Sequence, residues 1–119
     1  MTSEIRVYSY SSCTTCKKAL KWLNEHKIAF KLIDIALSPP KKEILIDAIS
    51  QLGDRKKIFN TSGLSYRKLG ASFVKAMSDS EAIAALAADG KLIKRPFLIT
   101  SKGEILVGFK PDIWSETLW

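Results

Sequence analysis

Two cysteines stand three residues apart in Cys13-Thr14-Thr15-Cys16, and the chain has no others. A thiol pair at this spacing can exchange with disulfides, contribute to a zinc site, or sit inert as structural cysteines. Zinc asks for about four ligands, and the only histidine, His26, lies several helical turns beyond Cys16; no metal is expected. An inert disulfide belongs to oxidising compartments. The opening MTSEIRVYSY lacks the basic stretch and apolar run of a secretory signal, so a cytoplasmic location is expected. Two buried cysteines falling at this spacing by chance is the remaining alternative. Thiol exchange is the chemistry that the position favours, with Cys13 as nucleophile and Cys16 as resolving thiol.

That position is set by the flanking elements. Residues Glu4 to Tyr10 alternate Ile5 and Val7 against Arg6 and Tyr8, which predicts a strand ending at Ser11-Ser12. From Thr14 the period changes. Cys16, Ala19, Leu20 and Leu23 fall at helical spacing opposite Lys17, Lys18, Lys21 and Glu25, predicting an amphipathic helix to about His26. Cys13 therefore sits at a helix start, where free N–H groups and the helix dipole favour an anion, with Lys17 and Lys18 adding positive potential. His26 reads as a surface residue at the helix end. Trp22, Trp114 and Trp119 read as packing residues.

Phe30 to Ile35 is a second apolar run of strand length, completing a βαβ unit. Ser38-Pro39-Pro40 reads as an N-cap and first turn, followed by a helical face of Ile44, Leu45, Ala48, Ile49 and Leu52 that stops at Gly53. Ile58-Phe59 is an apolar anchor before the turn Asn60-Thr61-Ser62-Gly63, and Tyr66 with Leu69 suggests a short helix. Ser78-Asp79-Ser80-Glu81 forms a capping box ahead of a helix from Ala82 to Ala88, stopped by Asp89-Gly90. Phe97 to Thr100 and Ile105 to Val107 are short strands joined as a hairpin, and Asp112 to Leu118 is a terminal helix.

The order βαβ, helices, ββα predicts an α/β thioredoxin-like fold with a helical insertion between the parallel pair and the hairpin. The expectation is one domain over residues 1–119 with a helical subdomain at about 38–92. In such a layout the residue before the hairpin faces the first cysteine and the proline beside it is cis. In Lys94-Arg95-Pro96 these are Arg95 and Pro96, and the guanidinium suits an oxyanion or a thiolate.

Composition narrows the partners. With 119 residues, 46% of them hydrophobic, the chain has apolar mass for one core, and charges interrupt every stretch that approaches the ~20 residues of a membrane span. The net charge of +7 comes from 19 cations against 12 anions, but the lysines are scattered rather than gathered into a nucleic-acid stripe, so no direct DNA binding is expected. Residues 14–22 contain no arginine, which excludes a phosphatase-type phosphate loop. No P-loop or G-x-G-x-x-G is present.

The segments CTTCKKALKWLNEHKIAF, FNTSGLSYRKLG, DGKLIKRPFLI and ILVGFKPDIW, in this order, resemble the arsenate reductase (ArsC)/Spx/MgsR family across nearly the whole chain. The resemblance implies a thioredoxin-like fold, a cytoplasmic protein and a redox-active Cys13. By position, Arg95 matches the arginine that holds the oxyanion, Lys17 a basic residue after the cysteine loop, and Cys16 the second cysteine of the Spx-like branch. Ser62 and Lys110 stand where arsenate reductases carry two further oxyanion-binding arginines. The implied activity is a thiol–disulfide or arsenate reductase with no bound cofactor, reset by thioredoxin or by glutaredoxin with glutathione. The alternative is an Spx-like redox regulator that binds the RNA polymerase α subunit.

Overall fold

The computed structural model describes residues 4–118. In chain order the elements are β1 (Ile5–Ser9), α1 (Thr14–Glu25), β2 (Phe30–Asp34), α2 (Lys42–Leu52), α3 (Leu64–Leu69), α4 (Ala71–Ala76), α5 (Asp79–Ala88), β3 (Phe97–Ile99), β4 (Ile105–Val107) and α6 (Pro111–Leu118). Short 3-10 turns occur at Arg55–Lys57 and Gly90–Leu92. The chain divides into two compact units. One comprises the residues up to Asp34 together with those from Arg95 on; the other is Ile35–Lys94.

The first unit is built on a four-stranded sheet of order β2-β1-β3-β4. β1 runs parallel to β2, with Val7 opposite Leu32, and antiparallel to β3, with Val7 opposite Leu98; Leu98 in turn faces Leu106 of β4. The apolar stripe of α1 and one face of α6 close over this sheet. Val7, Ala19, Leu23, Leu98 and Trp114 form the buried cluster, with Trp22, Phe30 and Phe109 packed around it. The Trp114 indole N–H, which could not be buried alone, donates to the Gly108 carbonyl at 3.2 Å. The β3–β4 hairpin turns on Thr100, whose hydroxyl oxygen accepts the N–H groups of Lys102 and Glu104.

One expectation is corrected here. Tyr8 does not face solvent; it is buried, as is Ser9, and its ring meets Phe97 edge-on at 5.7 Å. Phe97 is the residue opposite Tyr8 on β3, so the two rings cover one another on that face and the simple alternation fails.

In the second unit, α2 buries Leu45 and Ala48 and ends at Gly53, whose φ of 80° is the left-handed cap a glycine accepts without cost. The helix starts later than Ser38-Pro39-Pro40 suggests, with Lys41 as its N-cap. Pro40 disfavours helical geometry at Pro39, so Pro39 is a poor first residue of the helix. Ser78 and Glu81 form the expected capping box of α5, with reciprocal bonds of 3.1 and 2.9 Å. The helix α4 was not expected. Its last carbonyls are held from outside: the Arg55 guanidinium donates to the carbonyls of Val74 (3.3 Å), Lys75 (3.3 Å) and Met77 (2.6 Å) and pairs with Asp79 at 3.0 Å. Carbonyls at or just past a helix end lack the N–H groups of a following turn; that of Val74 takes only the Met77 N–H of the cap, at 3.2 Å, beside the guanidinium. One side chain, only 17% exposed, thus joins the end of α4 to the start of α5.

The buried anchor Ile58-Phe59 meets the end of this unit through a bridge between Phe59 and Ile93, reinforced by the Asn60 N–H donating to the Leu92 carbonyl at 2.7 Å. Among the described residues no helix is long and apolar enough to cross a membrane.

Candidate functional site

β1 ends at Ser9, and the chain turns through Tyr10-Ser11-Ser12, closed by the Cys13 N–H donating to the Tyr10 carbonyl at 3.0 Å. Cys13 is then the N-cap of α1, in extended geometry (φ −87°, ψ 113°). Its sulfur accepts the Cys16 N–H at 3.2 Å, the role an oxygen of serine, threonine or aspartate usually plays. The first turn contains no acidic residue to neutralise the positive end of the helix dipole. Lys17 follows Cys16 and is exposed.

The two thiols are unbridged and differ sharply in access. Cys13 is partly exposed, whereas Cys16 is 1% exposed and packs under the helix beside Ala19. Burial pushes the Cys16 thiol from its ordinary value of about 9.0 up to about 11. A hydrogen bond to the Cys13 sulfur and the nearness of its charge act in the same direction. The Tyr10 backbone N–H and the Ser9 hydroxyl, donating to the Cys16 sulfur, pull the other way.

Because the folded protein holds this proton more tightly than the unfolded chain, the neutral thiol adds stability that is complete below about pH 9 and lost as pH rises through about 11. The urea midpoint of the reduced protein is therefore expected to fall further between pH 9 and 11 than that of Cys16→Ser, whose hydroxyl does not ionise there. Parallel pH profiles of the two proteins would contradict the shift.

Arg95 enters from the other end of the unit. It is half-buried, its bond to Pro96 is cis as expected, and its guanidinium carbon lies 4.9 Å from the centre of the Tyr10 ring. A guanidinium over a tyrosine face is worth about 0.5–1 kcal/mol at an exposed site, more when desolvated. Tyr10 thus touches both sides of the site, accepting the Cys13 N–H with its carbonyl and supporting Arg95 with its ring. Neither Tyr10 nor Ser9 was singled out from the sequence. Their one signal was position, at the carboxyl end of the strand that feeds the cysteine helix.

Lys110 is exposed at the start of α6, where its carbonyl accepts the Trp114 N–H at 2.9 Å. Ser62 belongs to the second unit, in the turn after Asn60, and its hydroxyl donates to Asn60 Oδ1 at 3.3 Å. His26 caps the end of α1 on the surface; its Nδ1–H donates to the Trp22 carbonyl at 2.8 Å and its ring lies against Trp22. Trp22 and Trp114 pack together as expected, while Trp119 lies outside the described residues. Among the described residues no three histidine, cysteine or acidic side chains gather in a way that could hold a metal ion.

A mixed sheet of this order, with a thiol pair at the start of its first helix, defines a thioredoxin-like protein. Comparison with known proteins is specific beyond the fold. The model of the ArsC family matches residues 8–117, and the chain belongs to that family, within the group that includes Spx and MgsR. It is 47% identical to the uncharacterized protein YusI of Bacillus subtilis strain 168, over 92% of this chain and 93% of that one. It is 30% identical to the global transcriptional regulator Spx of Streptococcus agalactiae, covering 91% of this chain and 78% of the regulator. Among solved structures, a Streptococcus mutans UA159 protein described as a possible arsenate reductase superposes with a TM-score of 0.83 at 37% identity, covering 91% of this chain and 92% of that one.

Proposed function

We propose that this protein is a thiol–disulfide oxidoreductase in which Cys13 attacks an oxidised substrate and Cys16 resolves the adduct. The observation that supports this most is the asymmetry of the pair: a partly exposed sulfur at the N-cap of α1, with a buried thiol on Cys16, whose backbone N–H donates to that sulfur. Attack on a disulfide forms a bond between Cys13 Sγ and one substrate sulfur and releases the other as a thiolate. With arsenate the same thiolate forms a sulfur–arsenic bond and water leaves. Cys16 then gives up its proton and bonds to Cys13 Sγ, so two electrons leave the pair as the substrate thiol or arsenite departs. Arg95 and the N–H groups at the start of α1 stabilise the negative charge that develops. The cycle needs no resident cofactor; thioredoxin, or glutaredoxin with glutathione, supplies the electrons that reopen the Cys13–Cys16 disulfide.

The residues favour a disulfide over arsenate. The two positions where arsenate reductases carry further arginines hold Ser62, whose hydroxyl is engaged by Asn60, and Lys110. A charge-assisted hydrogen bond is worth about 1.5–3 kcal/mol, so losing one and weakening another costs an oxyanion far more than it costs a disulfide. A second reading has its own support in the identity to Spx over nine-tenths of the chain. In that reading the same pair is an oxidation switch in a cytoplasmic regulator that docks on the RNA polymerase α subunit.

The test is NADPH consumption with arsenate or with a disulfide, with the thioredoxin and glutaredoxin systems supplied in turn. Disulfide-dependent consumption exceeding arsenate-dependent consumption is expected. A flat trace with both substrates, alongside redox-dependent capture of the α subunit, would favour the regulator instead.

A further inference from the structure

Beside the thiol pair lies an open groove of about 340 Å³. Its walls are the end of β1 (Ser9, Tyr10), the first turns of α1 (Lys17, Leu20) and the end of β2 (Leu32, Asp34). At about 30 Å³ per water this is room for roughly ten waters, more than a four-oxygen anion occupies, and within the range of sites that take organic ligands.

The chemistry of the walls points the same way. Leu32 is 56% exposed although it sits in a strand, and with the half-buried Leu20 of α1 it makes an apolar floor. An inorganic oxyanion gains nothing from such a floor, whereas an aliphatic side chain does. Lys17 and Asp34 supply charges of both signs, which suit a peptide chain with its own donors and acceptors better than an anion alone. β2 is also an edge strand, hydrogen-bonded within the sheet only to β1. An edge strand offers main-chain groups to an extended segment, with affinity from the backbone and selectivity from alternate side chains.

We propose that this groove is a substrate subsite for an extended polypeptide segment flanking a half-cystine. It rests on the reading of Cys13 and Cys16 as an exchanging pair and gives that reading a substrate class: disulfides carried on polypeptide chains, with an apolar residue next to the cysteine. The flanking aliphatic side chain lies on Leu20 and Leu32 while the half-cystine is presented to Cys13. Cys13 Sγ bonds to the peptide sulfur, the other sulfur leaves as a thiolate, and Cys16, losing its proton, displaces the peptide thiol. The two electrons come from the reduced pair, so a single turnover needs no other reductant.

The experiment is single-turnover release of thionitrobenzoate from cysteine peptides capped as mixed disulfides with that chromophore, using the pre-reduced protein. One peptide has glycine on both sides of the cysteine, and two others carry leucine immediately before or after it. Each rate is divided by the rate of the same peptide with dithiothreitol, which removes intrinsic reactivity. At least one leucine peptide is expected to react about tenfold faster than the glycine peptide, and Leu32→Glu, at an exposed position, is expected to bring that ratio close to one. Equal rates for all three peptides with the wild-type protein would overturn the subsite while leaving the thiol chemistry standing. No release from any peptide by a protein with native circular dichroism would overturn the exchange reading, and the subsite with it.

Discussion

Cys13→Ser is expected to lose disulfide-dependent turnover altogether, a fall of about 10⁴-fold or more, as when an essential nucleophile is removed. The size of the effect follows from electron bookkeeping as well as nucleophilicity. A serine hydroxyl can occupy the N-cap and accept the Cys16 N–H as well as sulfur does, so the fold and the helix start survive. It cannot form the disulfide through which two electrons leave the protein. Cys16→Ser separates the steps. Cys13 still attacks, but nothing displaces the product, and a mixed disulfide on Cys13 accumulates at one equivalent, visible as a mass increase that dithiothreitol reverses. Turnover surviving in Cys13→Ser at the wild-type rate would remove the mechanism.

A second large effect is expected within the second unit, at Gly90. This residue opens the 3-10 turn Gly90–Leu92 and is buried. A Cβ added there would stand 1.8 Å from the Ile35 carbonyl oxygen and 2.7 Å from its carbon. Both are backbone atoms, which no rotamer change can clear, so the chain itself must move. Gly90→Ala is expected to cost at least about 3 kcal/mol, the upper part of the range for overpacked interiors, read as a fall in the urea midpoint. Gly53→Ala is the comparison. There the added Cβ meets nothing within 4 Å, and the penalty comes only from the positive φ of 80°, worth about 1–2 kcal/mol. Equal losses at the two positions would show that Ile35 and Gly90 can separate at little cost.

The parts of this protein that were legible in its sequence are those whose physics is local. The capping box at Ser78 and Glu81, the glycine stop at Gly53 and the apolar stripe of α1 each depend on residues within a turn or two of one another. The same is true of Cys13 and Cys16, which is why the sequence alone puts the thiol pair at a helix start. The helix α4 escaped because six residues with Val74 as their one buried side chain carry no readable period. What holds its end is Arg55, from well before it in the chain. The double proline hid the true start of α2, since each proline alone suits a first turn but the second disfavours it at the first. Ser9 and Tyr10 were invisible for a different reason. Their roles exist only once β1 is an inner strand and Arg95 has been brought over the Tyr10 ring from the far end of the chain.

The raised Cys16 thiol also bears on the order of events. Burial keeps Cys16 protonated at neutral pH, but two further causes of its raised value belong to Cys13, through a hydrogen bond and through its charge. A Cys13 sulfur tied into an adduct can carry no charge and is a poorer acceptor. The Tyr10 N–H and the Ser9 hydroxyl remain, still stabilising a Cys16 anion. The pair therefore works as an interlock: at rest the protein presents one reactive sulfur, and the second is released for attack by the bond that it must break.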